Sequence, residues 1–279
     1  MSTSPHTTGM STTLIVGGTG KTGRRVAARL ASRGLPVRVG SRSGTPPFVW
    51  EEPATWGPAL EGVGAVYLTY HPDLALPGAA EAVGAFSRVA VERGALRLVL
   101  LSGRGEEGAR AAERALQESG ADWTVVRASW FHQNFDESFL VGPVRAGELV
   151  LPAGDAVEPF VDAGDIADVA VAALTDGRHA GRVHELSGPR LLGFADVAAE
   201  LSAVTGREIR YLPVSVAEYR AVLEKEGLPV ELAGLFGTVL DGRNAHPVDG
   251  VRQVLGRAPR DFADYAREAA ARGVWDPPR

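Results

Sequence analysis

The chain has 279 residues, 45% hydrophobic and 23% charged, which suits one large globular domain or one domain with a lobe. Its formal net charge is −5 with no lysine-rich or arginine-rich block, so no nucleic-acid surface is indicated. It has no cysteine, which excludes disulfides, thiolate chemistry and cysteine-based metal sites, and no apolar run of transmembrane length.

Residues 1–12 are polar and are expected to be a disordered lead-in. Residues 13–16 (TLIV) are short and apolar, as a buried parallel strand requires. Gly17, Gly18, Gly20 and Gly23 follow at once, fitting G-x-x-G-x-x-G and also G-x-G-x-x-G. One glycine permits the tight turn, one lets backbone approach a pyrophosphate, and one lets the next helix pack closely on the strand. Val26, Ala27, Leu30 and Ala31 give that helix an apolar face, and its N-terminus offers N–H groups to phosphates. The segment is not a Walker A loop, because Ile15 stands where the leading glycine of G-x-x-x-x-G-K-[ST] is needed.

The second strand, 37–40, ends in Ser41-Arg42-Ser43, with no carboxylate between Gly23 and Gly44. A ribose 2′-hydroxyl prefers Asp or Glu there, whereas a 2′-phosphate prefers arginine and hydroxyls, so the expected cofactor is NADP(H). A short third strand is read at 48–51, hemmed in by prolines 46, 47 and 53. One or two helical turns follow at 53–60, then a buried strand at 65–69 that ends in Tyr70-His71-Pro72. A helix spans 78–93 with Gly94 as its cap, a strand 97–101 ends in Ser102-Gly103, a helix spans 106–119, and a strand 123–127 closes the alternation. The pattern is an α/β, Rossmann-type doubly wound parallel sheet, with six strands read up to Arg127.

Beyond Arg127 a short aromatic helix is read at 130–140 and a small strand at 148–151. A helix follows at 165–174 and a further strand at 183–186. Helices at 194–205, 216–226, 230–240 and 261–272, with a strand at 209–214, make a small C-terminal α+β lobe. The expected organisation is an NADP(H)-binding domain over 13–187, with 128–160 contributing to the substrate pocket, and a substrate-binding lobe over 188–279.

The motifs GGTGKTG, SRSG, VLLSG, ESGADWTVVRASWFHQNF, FVDAGDIADVAVAAL and SGPRLLGFADVAAELSAVTGREIRYLPV occur in that order. This series resembles the NmrA-like branch of the atypical short-chain dehydrogenase/reductases. It is most similar to the group of the ergot-alkaloid agroclavine and festuclavine dehydrogenases and their bacterial relatives. The resemblance covers about residues 13–270. It implies a Rossmann core, NADP(H), and a small lobe closing over a substrate. It also implies that relatives divide into reductases of quinones, iminiums or enones and non-catalytic redox-sensing regulators.

Short-chain reductases ordinarily use a tyrosine four residues before a lysine as proton donor. Here the lysines are Lys21 and Lys225 alone, and none of Tyr67, Tyr70, Tyr211, Tyr219 and Tyr265 has a lysine four residues on. That favours an already electrophilic acceptor: an iminium, a quinone, or a conjugated enone or ketone. A dinucleotide-sensing regulator and a recruited non-redox cyclase or isomerase are the alternatives. Candidate catalytic residues are Ser102, Tyr70 and His71 at strand ends. The cofactor set is Gly17, Thr19, Gly20, Lys21, Thr22, Gly23, Ser41, Arg42, Thr69, Ser102 and Arg127. Tyr70, Trp130, Phe131 and Asn134 are the substrate-pocket candidates.

His132 is set aside. Asp165 is read as a helix N-cap and Glu113 as one charge on a solvated face. No His or carboxylate pair has ligand-like spacing, so no metal is expected. The expected partners are a small molecule, with neither membrane nor nucleic acid, in a cytoplasmic monomer or homodimer.

Overall fold

Buried β-branched and aliphatic residues open the fold. In the computed structural model, which describes residues 11–227 and 230–276, β1 (Thr12–Val16) has Leu14 and Ile15 fully buried. The first ten residues of the expected lead-in lie outside the described residues, while Thr12 already belongs to β1. After the glycine turn, α1 (Gly23–Ser32) buries Gly23, Val26 and Leu30. Each large apolar side chain so buried contributes about 1.5–3 kcal/mol.

The alternation continues through β2 (Val37–Gly40), α2 (Trp56–Leu60), β3 (Val63–Leu68), α3 (Ala79–Glu92), β4 (Arg97–Gly103), α4 (Glu107–Gln117) and β5 (Asp122–Ala128). Next come α5 (Val141–Ala146), β6 (Glu148–Leu151), β7 (Val157–Glu158), α6 (Ala163–Thr175) and β8 (Arg182–Leu186). The chain continues with β9 (Leu192–Gly193), α7 (Phe194–Thr205), β10 (Arg210–Pro213), α8 (Val216–Lys225), α9 (Glu231–Val239), α10 (Gly250–Leu255) and α11 (Phe262–Ala271).

Six strands form one parallel sheet in the order β2-β1-β3-β4-β5-β8. The expected α/β class holds, but the strand inventory is corrected. Residues 48–51 are a loop and not a strand, so only five sheet strands precede Ser129, and the sixth is β8. The reason lies in how the loop is held. Pro46 and Pro47 supply no N–H to a ladder. The loop is instead tied to its surroundings by Phe48 N donating to Ser41 O (2.9 Å), Val49 N to Thr55 Oγ1 (3.1 Å) and Trp56 Nε1 to Val49 O (2.9 Å).

The chain divides into two compact units. One runs to Leu101 and adds Gly108–Val125 and Ala170–Arg182; the other comprises Ser102–Glu107, Val126–Val169 and the chain from Val183. Each draws on separate stretches, whereas the sequence reading divides the chain once, at residue 187.

In the second unit the expected helix over 130–140 is absent and only a 3-10 turn, His132–Asn134, forms. The two most distinctive motifs explain this, because they grip each other. Val161 N donates to Trp130 O (2.7 Å), His132 N donates to Val161 O (2.9 Å), and the Gln133 amide donates to Asp162 (3.0 Å) while accepting from Ala163 N (2.7 Å). With Trp130 O and His132 N engaged by Val161, local bonding contracts to the i→i+3 turns Asn134 N to Phe131 O and Phe135 N to His132 O (3.1 Å each) and one i→i+4 bond, Glu137 N to Gln133 O (3.0 Å). Asp162 is the N-cap of α6, its carboxylate accepting from Gly164 N at 2.6 Å. Asp165, expected in that role, accepts instead from Arg260 N (2.7 Å) and pairs with Arg257 (2.7 Å).

Glu113 is also corrected: it is buried, on the stripe Ala109, Ala112, Glu113, Leu116. Those positions follow the i, i+3, i+4, i+7 spacing of a buried helix face.

Candidate active site

The order of the sheet reverses at β1, with β2 on one side and β3 on the other. Ligands of open α/β sheets bind beyond the carboxyl ends of strands at such a point. A cavity of about 300 Å³ lies there, wholly within the first unit. Its wall is Val16, Gly17, Thr19 and Gly20 after β1, Gly40, Ser41 and Arg42 after β2, Phe48, Val49, Trp50 and Glu51 in the loop, and Thr69, Tyr70 and His71 after β3.

The glycines are required by close approach. Gly17 has φ +71°, and a Cβ there would stand 2.0 Å from Thr69 Oγ1. A Cβ on Gly23 would stand 2.3 Å from Gly17 O and 2.9 Å from Gly18 Cα. Gly20 N donates to Gly17 O (2.9 Å) and Thr69 Oγ1 to Val16 O (3.0 Å), fixing the turn against β3. No acidic residue stands in the first turn of α1, and its N-cap Thr22 makes no side-chain capping bond. The helix start therefore carries no anion of the chain's own against its positive end.

At the other end, Gly44 N and Phe48 N both donate to Ser41 O (3.0 and 2.9 Å), curling the Ser41–Arg42 turn against the loop. Trp50 Nε1 donates to Thr69 O (3.2 Å), and its ring lies 5.1 Å from Tyr70, 5.2 Å from Phe48 and 5.4 Å from Phe86. The residues fit a dinucleotide phosphate: the bare backbone of the glycine turn that leads into α1 and an arginine meet at one cavity.

Of the expected site residues, Gly17, Thr19, Gly20, Ser41, Arg42, Thr69, Tyr70 and His71 meet at this cavity. Lys21, Thr22 and Gly23 are not among its lining residues; they lead into α1, which begins at Gly23. Ser102 is buried at the end of β4, and Arg127 pairs with Glu185 at 3.0 Å; both belong to the second unit. Trp130, half-buried, packs on Phe236, Phe194 and Phe160 at 5.0, 5.7 and 6.4 Å against the aromatic core of that unit. Phe131 bridges to Val161, and Asn134 closes the 3-10 turn.

The loop residues Phe48, Val49, Trp50 and Glu51 were missed as site residues because the segment was read as a strand. The prolines on both sides were the available signal.

Among the tyrosines, Tyr70 alone lines the cavity. Burial pushes the Tyr67 and Tyr265 hydroxyls well above their ordinary range and that of Tyr219 up to about 12. The Tyr211 hydroxyl is raised by burial as well, and it donates to Gly154 O. His132 is fully buried, with Nε2 2.9 Å from Phe160 O. Among the described residues, no group of three or more His, Asp or Glu is placed to hold a metal, and no helix is long and apolar enough to cross a membrane.

No family model matches the chain. It is 33% identical to agroclavine dehydrogenase of Claviceps fusiformis, over 95% of this chain and 98% of that one. It is 35% identical to a (4-alkanoyl-5-oxo-2,5-dihydrofuran-3-yl)methyl phosphate reductase of Streptomyces griseus, over 92% and 97%. In fold it matches the triphenylmethane reductase of Citrobacter sp., solved with NADP(H), at a TM-score of 0.72 and 19% identity over 92% of this chain and 99% of that one. The chain thus belongs to the NmrA-like atypical short-chain dehydrogenase/reductases, an oxidoreductase family, in the group of the agroclavine and festuclavine dehydrogenases.

Proposed function

We propose that this protein is an NADPH-dependent reductase that passes hydride to a small, already electrophilic acceptor without a Tyr–Lys pair. The observation that carries the reading is the single cavity joining Gly17, Thr19 and Gly20 to Ser41 and Arg42. There the glycine turn that leads into α1 would hold the pyrophosphate, and the Arg42 guanidinium with the Ser41 hydroxyl would take the 2′-phosphate through charge-assisted hydrogen bonds. Bound NADPH would supply the hydride.

The chain's own contribution is binding, orientation and, at most, a proton. Tyr70 and His71 are the proton-bearing groups at the cavity wall, and Ser102 is the third candidate. The Tyr70 ring is braced by Trp50, which is itself anchored to Thr69 O. An acceptor such as an iminium becomes neutral on reduction and needs no proton, which suits a chain with no Tyr–Lys pair. The named relatives support this class, one being a reductase of a conjugated furanone and another a dehydrogenase of an alkaloid. Substrate recognition we assign to residues 188–279 together with Trp130, Phe131 and Asn134, and Arg127 and Lys21 complete the cofactor set.

The test is purified protein with NADPH and a panel of cyclic iminiums, quinones, conjugated furanones and simple ketones, followed at the nicotinamide absorbance. Turnover of the first three classes is expected. Turnover of simple ketones alone would count against the mechanism, and absence of NADPH binding would count against the whole reading. In a competent reaction Tyr70→Phe and His71→Asn separate the proton donors. The donor's removal lowers kcat about 10²–10⁴-fold for an enone and leaves an iminium nearly unaffected.

A further inference from the structure

The second unit holds a carboxylic acid that the proposed reaction does not use. Glu158, the last residue of β7, is 0% exposed, and neither carboxyl oxygen has a hydrogen-bond partner among the described residues. Arg104 is 3% exposed, and its Nη2 likewise has no hydrogen-bond partner. The other guanidinium atoms of Arg104 are engaged. Nη1 donates to His246 O (2.9 Å) and, more weakly, to Asn244 O and Ser129 Oγ (3.4 Å each), and Nε lies 3.6 Å from Glu185.

Arg104 thereby holds the segment 241–249. The same segment is fastened by Asn244 Nδ2 to Arg104 O (2.9 Å), Arg243 Nη1 to Gly105 O (3.0 Å) and Val248 N to Ser187 Oγ (2.8 Å).

We propose that Glu158 is a buried proton-operated latch on this segment: neutral, it leaves Arg104 to the carbonyls of 244 and 246; ionised, it draws Arg104 away and loosens 241–249. A carboxylate without donors in a dry interior is costly, and Arg104, whose charge acts on Glu158, has an unused donor in Nη2. The proton leaves to solvent, and the new ion pair forms at the expense of two carbonyl contacts.

The groups facing Glu158 are few. Arg104 favours its ionised form and Asp241 opposes it; the Asn244 amide favours ionisation by proximity, although it is not in hydrogen-bonding geometry. Glu185 competes for Arg104 but is itself paired with Arg127, and Asp241 is paired with Arg243. Desolvation outweighs all of these and pushes the carboxyl up to about 7.

The direction follows from linkage. A carboxyl raised in the closed state and ordinary in the opened one stabilises closure at low pH. That stability is lost as pH rises from the ordinary value, 4.5, through about 7. Between pH 6 and pH 8 the opening equilibrium then rises about tenfold.

The experiment is hydrogen exchange on the full chain, with protection factors corrected for intrinsic rates. Protection of amides in 241–249 should fall about tenfold from pH 6 to pH 8 while that of α1 does not. In Glu158→Gln it should change by less than about twofold. An equal fall in the variant, or none in the wild type, would overturn the proposal. Should the variant fail to fold, wild-type protein carrying side-chain 13C-glutamate decides by NMR. One carboxyl carbon titrating near pH 7 supports the latch, and none titrating above pH 6 overturns it.

Discussion

Gly23→Ala tests the cofactor cradle most directly. The added Cβ would lie 2.3 Å from Gly17 O, with Gly17 C and Gly18 Cα both at 2.9 Å. All three are backbone atoms, so no side chain can swing aside. The Gly17–Gly20 turn must retreat from α1 by about 0.7 Å to reach even the 3.0 Å that real contacts scarcely breach. Such overpacking costs about 1–3 kcal/mol, a drop in melting temperature of about 2–12 °C for a chain this long. A domain of ordinary stability survives that.

Cofactor binding suffers more than the fold, because the displaced turn carries the N–H groups meant for the pyrophosphate. Losing one hydrogen bond to a charged group costs about 1.5–3 kcal/mol, or roughly 10- to 100-fold in Kd. The assay is titration of NADPH by fluorescence or calorimetry, beside thermal unfolding without cofactor. Gly34→Ala is the control: φ is +72°, but nothing lies within 4 Å of its added Cβ, so it is strained without touching the turn. A Gly23→Ala protein that binds NADPH as tightly as wild type would refute the assignment of the pyrophosphate to this turn.

Arg42→Ala should weaken NADPH by about 1.5–3 kcal/mol, roughly 10- to 100-fold, and leave NADH nearly unchanged; equal losses for both, in paired titrations, would remove Arg42 as the reader of the 2′-phosphate. Asp162→Asn should destabilise the protein by about 3–5 kcal/mol in urea titration, since it leaves His132 and Arg260 facing a neutral amide. Burial opposes the Asp162 charge, but the His132 ring 3.5 Å away and hydrogen bonds from Gln133 and Gly164 outweigh it and hold the carboxyl well below the usual carboxylate range. Its stabilisation is therefore present above the ordinary value, 3.8, and lost as pH falls through the lower folded one, so the difference between wild type and variant should be full at pH 6 and shrink only in strong acid. Trp130→Ala should cost about 3–5 kcal/mol by emptying space against Phe160, Phe194 and Phe236; an unaltered urea midpoint would mean that the ring is not part of that core.

The sequence by itself determined the local grammar of the fold. Short continuous apolar runs and amphipathic patterns located most strands and helices, and Gly94 marked a helix end, with φ of +87°. The glycine turn and Ser41-Arg42 located the core of the candidate cofactor site, because both motifs state a backbone need and a charge need within a few residues. What only the tertiary structure decided were features set by distant partners. Residues 48–51 have strand-like composition, but two prolines and side-chain anchors make them a wall of the cavity instead. Residues 130–140 look helical until Val161 and Ala163, some thirty positions on, engage Trp130 O, His132 N and the Gln133 side chain. Glu113 reads as one charge on a solvated face, and burial alone sets it and Glu158 apart. Propensity is local, whereas desolvation and hydrogen-bond competition depend on which remote segment arrives, and that is written in no single stretch of the chain.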